Sequence, residues 1–567
     1  MAIESVESRS KKTNDDDLLQ EYRTLKEHLL QVLLTCYKAY GEALDTDSRN
    51  PNLSSELPSS NVETVRNQPM APDAIVPISV PEFLTFVAGT LRVPKEFARW
   101  QVGDPEPTDA SFHHLATHTR HVTSLTHTIL LLTLRSLESE LDLADTPTPS
   151  VLALPSQKPT LAALVAACAA SLGDATNRWC DQAAREKAAD VLAGIVPHLA
   201  GVHLGTPSSS PKKSGESGGH HHGHKISDAH HVVEYALGEV LDLAVRPVFG
   251  KGKGGAPAAR QAREEEDREE WRTERPETVT VLEWCVGQVK QPFLHPHLST
   301  ILPPLLTLLD APNPPIKLSA LRSLSHVLLN TPAATLRAHN IPALVLDAAL
   351  TASTYYDYPA LVSAAIGAAT SAVVAGEAQF SEPYYDGLER VIRDGVLRGL
   401  HFATGAKPAQ VIAAILDPAP RLLELASPFT VRHASPLLEG LERVVQIHAS
   451  DAALMDALSR TLHALCASCA PRIAVHAGRV LALASRGWIG FKAAMEKQAK
   501  GTQDSRAKDA IESVGKQLRA AVSVVRESVE KEAKVVGGEE GQGMKAMLSA
   551  DLRAVKQMGA GGILGEE

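Results

Sequence analysis

From Glu277 onward the chain repeats one pattern: an apolar stripe at helical spacing, a proline, then another apolar stripe. Leu318, Leu321, Leu324 and Leu328 show the stripe clearly, recurring at steps of three and four on one helical face. The same reading predicts helices over 298–310, 316–329, 343–352, 360–374, 384–402, 436–448, 452–470 and 472–484, with a shorter one beginning near Pro408. They fall into pairs that restart every 40 to 50 residues or so, the period of HEAT and armadillo repeats. One such pair cannot bury its apolar face alone; stacked neighbours can. The predicted fold is therefore all-α, a HEAT/armadillo-like α-solenoid of paired antiparallel helices. Composition agrees, with hydrophobic residues at 44% but aromatics at only 4%. Leu and Ala suit helices packed on helices and leave little of the aromatic material that sheets favour.

The first half is helical but less regular. Leu18, Tyr22, Leu25, Leu29, Val32 and Cys36 form one stripe, Leu115, Val122, Leu125, Ile129, Leu132 and Leu137 another, and helices are expected over 161–172 and 183–200. Ser, Gly, Pro, Lys and a histidine run then mark 206–227 as a linker, before a helix over 229–245, a second linker over 250–259 and a mixed Arg/Glu run. These shifts divide the chain into a divergent helical region, 1–205; low-complexity linkers with a short helix and a charged segment, 206–276; the repeat region, 277–534; and a Gly-, Glu- and Lys-rich flexible tail, 535–567. The stretch 359–376 carries no charge, but its Ala, Ser, Thr and Gly content fits a buried helix better than a membrane span.

A net charge of −10 gives no general basic face for nucleic acid. Six scattered cysteines do not make a disulfide framework, and the opening stretch MAIESVESRSKKTNDDD lacks the apolar core of a secretory leader. A reducing compartment is the expectation. Gly250-Lys-Gly-Lys-Gly-Gly255 has dinucleotide-loop spacing, but it lies in a linker without the strand and helix that chemistry needs. Cys466-Ala-Ser-Cys469 has redox or zinc spacing, yet it sits in a Leu/Ala helix with no second ligand pair. His220, His221, His222 and His224, with His230 and His231 nearby, lie in flexible composition that fixes no geometry. His113, His114, His118 and His121 could share a helix face, with no carboxylate to orient them. No catalytic residue, metal or cofactor is expected.

The segment from Leu282 to Pro332 resembles the signature of the Tel-two-interacting protein type two family. A Trp-containing helix leads to a Leu-Pro-x-x-Leu helix with an acidic end, then a Lys-bearing helix with a Leu-rich tail. Here the matching residues are Trp284, Leu302, Pro303, Leu306, Asp310, Lys317 and Leu328. Ala311 replaces a second acidic residue, and a common glycine is missing near Ser319 and Ala320. The stretch from Leu425 to Val445 and Pro471-Arg472 also look like the family, so the likeness spans about 277–488. It implies a non-enzymatic scaffold subunit of the TTT cochaperone complex, cytoplasmic and nuclear. The expected partners are the Tel-two protein and Tel-two-interacting protein type one, and indirectly the Hsp90 machinery and phosphatidylinositol-3-kinase-related kinases, with neither nucleic acid nor membrane. Telomere maintenance and the DNA damage response are the processes implied. The alternative is a generic HEAT/armadillo adaptor in another pathway such as nuclear transport.

Seven residues are candidates for partner binding or repeat stabilisation. Trp284, among Val281, Leu282 and Val286, reads as a core anchor. Asp310 and Lys317 flank a Pro-rich turn and read as an interhelical ion pair or a polar edge for a partner. Arg432, Glu442, Arg443 and Arg472 lie near helix ends or on polar faces, equally suited to an interface and to salt bridges between repeats.

Overall fold

A computed structural model of the chain describes residues 155–173, 179–199, 222–249, 275–403, 407–470, 472–499 and 505–564, with scattered positions between 84 and 134. The chain divides after residue 83 into two units, and all described residues belong to the second. Among them every regular element is helical and none is a strand.

Among the continuously described residues, the regular array is preceded by α1 (Lys158–Leu172), α2 (Gln182–Leu199) and α3 (His222–Val240). Helix α3 runs on through a π-helical turn, Leu241–Val245, into Arg246–Phe249. The array itself comprises α4 (Glu277–Gln288), α5 (Leu298–Asp310), α6 (Pro314–Leu329), α7 (Ile341–Ala352) and α8 (Pro359–Gly376). It continues with α9 (Glu382–Arg390), a π-helical stretch Val391–Leu397, α10 (Arg398–Phe402), α11 (Pro408–Leu416) and α12 (Ala419–Leu425). It ends with α13 (Ala434–His448), α14 (Ala452–Ser468), α15 (Ala477–Ala499), α16 (Ser505–Val536) and α17 (Gly538–Gln557). This is the expected solenoid of paired helices.

Prolines set the starts. A proline occupies the first or second position of α6, α7, α8, α9, α11 and α12, where the missing N–H costs nothing and the fixed φ favours the helix. Ser381 and Asp451 cap α9 and α14, their side chains accepting hydrogen bonds from the Tyr384 and Leu454 N–H groups.

The helices alternate between two layers. Helices α4, α6, α8, α11–α12, α14 and α16 pack in succession as the second layer; α5, α7, α9–α10, α13 and α15 lie against them as the first. The uncharged stretch is α8, in the middle of the second layer. It is long and apolar enough to cross a membrane by length and composition. Its Leu361, Val362, Ala365, Ile366, Ala369 and Ala372 are instead wholly covered, with α6, α7 and α11 packed around it. Small residues permit that closeness: a Cβ on Gly376 would stand 2.6 Å from the Pro342 side chain. Cys466 and Cys469 are core residues of the second layer, both free thiols. Burial pushes Cys469 up to about 11 and Cys466 higher still.

Two expected boundaries change. The tail expected to be flexible from 535 contains α17, which packs against α15 and α16. Its covered residues Gly541, Leu548 and Val555 recur every seven positions, a helical stripe that the polar composition obscures. Within 206–276, the helix expected over 229–245 begins earlier, at His222, and packs on α1, α2 and α4, while 206–221 lie outside the described residues. The glycine-rich stretch 250–259 and the charged run up to 274 lie outside the described residues, as do most of the N-terminal stripes and His114, His118 and His121.

Candidate partner-binding surfaces

Trp284 is not the core anchor expected. Val281, Leu282 and Val286 fill the covered face of α4, whereas Trp284 is half-buried beside them. It lines an open groove of about 410 Å³ with Leu172 and Gly173 of α1 and with Arg322, Ser323 and His326 of α6. A side chain added at Gly287 would meet nothing within 4 Å, so the groove stays open beside the indole. Its walls are tied together. Ser319 donates a 2.7 Å hydrogen bond to Glu283, Arg322 stands 3.8 Å from the same carboxylate, and His326 Nε2 lies 2.7 Å from the Val289 carbonyl oxygen.

Asp310 and Lys317 do not form the direct ion pair. The Lys317 ammonium donates at 2.6 Å to the Leu309 carbonyl, one of the last in α5, and sits 5.6 Å from the centre of the Tyr355 ring. Partial burial lowers the Lys317 pKa, and the charge on exposed Asp310 opposes the shift through space. The lysine therefore joins α5 to α6 at the turn.

The C-terminal candidates belong to a ladder along the first layer. Arg390 of α9 reaches Asp347 of α7 at 2.7 Å. Arg432 reaches back to Glu389 at 3.4 Å and lies over Phe429. Arg443 of α13 meets His401 at 3.1 Å and Glu439 at 3.4 Å. Glu442 is held by both arms of Arg479 from α15, at 3.0 and 3.1 Å. Glu442 thus pairs with none of the three candidate arginines. Its partner, Arg479, was missed; the signal was an opposite charge about one repeat downstream. Arg472 is exposed in the short 3₁₀ turn between α14 and α15.

That turn belongs to an apolar edge. In a two-layer array, every connection from the second layer back to the first emerges on the same side. Tyr385 stacks on Phe429 at 4.1 Å, and Ser427 donates to the Ser468 carbonyl at 3.1 Å, so successive connections touch. Each presents exposed apolar side chains: Leu329, then Phe380 (70% exposed), then Phe429 and Val431, then Val475 (73% exposed). One exposed leucine is ordinary; a series at repeat spacing is the surface a solenoid offers to an extended partner.

Elsewhere, α3 brings His230, His231 and Glu234 together, with ligand-type atoms all within 4.8 Å of one another. The two histidines were noted in the sequence as neighbours of the histidine run. Glu234 was not, although three- and four-residue steps on a helix place it beside both.

Two packed layers, an ion ladder and an apolar edge define a helical repeat protein. Residues 221–447, which include the Trp284 signature, match the model described as Tti2 family. The likeness to that family is shown over this stretch, which is less than half of the chain. No curated protein matches the chain. Among solved structures, an engineered protein is 12% identical, covering 77% of this chain and 94% of its own, with a TM-score of 0.29. The karyopherin Kap121p bound to RanGTP is 10% identical, covering 80% of this chain and 41% of its own, at 0.39. Importin beta is 9% identical, covering 80% and 64%, at 0.38. The chain thus spans less than two thirds of either transport protein, and the architecture described above rests on its own helix packing.

Proposed function

We propose that this chain is a non-enzymatic scaffold subunit of the TTT cochaperone complex. In this reading it binds Tel-two-interacting protein type one and the Tel-two protein in cytoplasm and nucleus. The complex then supports Hsp90-dependent maturation of phosphatidylinositol-3-kinase-related kinases, and through them telomere maintenance and the DNA damage response. The supporting observation is the family match over 221–447, which falls on helices that bear the Trp284 groove and much of the apolar edge. Such an edge suits association through a few apolar and arginine anchors, each worth about 2 kcal/mol or more on truncation.

The test is co-purification of the full-length tagged chain with mass spectrometry. The two named subunits are expected in near-stoichiometric amounts. Combined Phe429→Asp, Arg472→Glu and Val475→Asp substitutions should remove Tel-two-interacting protein type one while leaving the thermal melt within a few degrees of wild type. Recovery of transport cargo in place of both subunits would overturn the reading in favour of the adaptor alternative. An intact complex with the triple variant would remove the edge from the interface.

A further inference from the structure

We propose that His230, His231 and Glu234 on α3 form a binding site for one divalent transition-metal ion of the zinc class. This is independent of the scaffold reading and runs against the sequence expectation that no metal binds.

Geometry comes first. His231 Nδ1 and a Glu234 carboxylate oxygen stand 3.6 Å apart. Two zinc bonds of about 2.1 Å opening at a tetrahedral angle put their donor atoms about 3.4 Å apart. The pair is therefore already spaced as two ligands of one ion. The third donor, on His230, completes a cluster no wider than 4.8 Å, and rotamer adjustment of its exposed end closes the remainder. The two imidazole rings lie 3.8 Å apart, centre to centre, both leaning the same way from adjacent positions.

The second observation is an unmet need. His231 Nδ1 is buried without a hydrogen-bond partner, and 3.6 Å to Glu234 is too long to supply one. The Glu234 side chain is only 10% exposed, so its carboxylate is largely shielded from water. A dication would bond the unpartnered His231 nitrogen and compensate the shielded Glu234 carboxylate, with His230 within reach as a third donor. Two nitrogens and one oxygen suit zinc, and one coordination position remains for water or a partner's side chain.

The histidine run at His220, His221, His222 and His224 would bind metal without geometry, so the experiment removes it. The full-length chain with all four changed to Asn is titrated with zinc against a chromophoric chelator, alone and with His231→Asn or Glu234→Gln added. The proposal expects one zinc per chain in the run-free protein. Either added substitution should weaken binding at least about tenfold, since loss of even an outer-shell partner costs that much. Zinc should also raise the thermal midpoint of the run-free protein and leave that of Glu234→Gln unmoved. Should His231→Asn fail to fold, cobalt decides: a tetrahedral absorption band is expected in the run-free protein and not in Glu234→Gln. Zinc binding that disappears with the run, or that persists unchanged in both added variants, would overturn the site.

Discussion

Along the second layer, neighbouring helices meet mainly through covered leucine, valine and alanine side chains, with ion pairs such as Arg322–Glu283 and Arg460–Asp417 beside them. The first layer adds to its own covered leucines a longer ladder of ions. In α14, Leu454, Leu458, Leu462 and Leu465 are all at or below 1% exposure. In α13, the links to its neighbours include Glu442 held by Arg479 and Arg443 against His401. Burial is worth about 25 cal/mol per Å² and needs no exact angle. Exposed ion pairs are worth about 0–1 kcal/mol and tolerate rearrangement. The covered side chains of both layers therefore set most of the stability, while the ion ladder can adjust at little cost.

The largest expected effect tests the first half of that contrast. Leu462→Ala in α14 should cost about 2–5 kcal/mol in urea unfolding, through lost transfer energy and a residual cavity. The same truncation at Leu344, half-exposed on α7, should stay within about 0.5 kcal/mol. Equal losses would break the comparison.

Next comes a buried group that titrates. His127 is wholly covered, and burial, reinforced by the Lys187 charge, pushes its imidazole down to about 4. The unfolded chain takes up a proton near pH 6.5 that the folded chain refuses until about 4, so stability falls as pH drops through that window. From pH 7 to pH 5 this group alone should remove about 2 kcal/mol. His127→Leu should flatten the slope of the urea midpoint against pH; an unchanged slope would show that His127 is not responsible.

Smallest is the ion ladder. Glu442→Ala should cost no more than about 1 kcal/mol, although it leaves Arg479 without its paired carboxylate. Arg432→Glu, which would face Glu389, should cost a similar amount and show a salt dependence that the Leu462 variant lacks. A loss of several kcal/mol in either would mean that the ladder also carries the fold.

The second layer was legible because burial leaves a period in the sequence: the apolar steps of 316–329 and 452–470 reappear as α6 and α14 almost residue for residue. The ladder was only half legible. Arg432, Arg443 and Glu442 announce themselves as charges near helix ends, but which charge meets which depends on stacking across about 40 residues, and no local pattern encodes it. Trp284 misled for a related reason. Its apolar neighbours belong to one face of α4, and two residues from Leu282 and Val286 is about 200° of helix, which carries the indole away from that face to the lip of the groove. The metal-type cluster was legible in principle, since His230, His231 and Glu234 all fall in the helix expected over 229–245, with Glu234 four and three residues beyond the two histidines.

Helix α17 carries a further consequence. A stack of repeats behaves as a one-dimensional lattice, in which each unit gains free energy from its neighbours and a unit at a boundary has one fewer. Such lattices melt from their boundaries. By folding back across α15 and α16, with Gly541 close against the Ala533 carbonyl, α17 supplies the last pair with the neighbour it would otherwise lack. The boundary term at this end is thereby removed, and opening is directed to less protected units elsewhere in the stack.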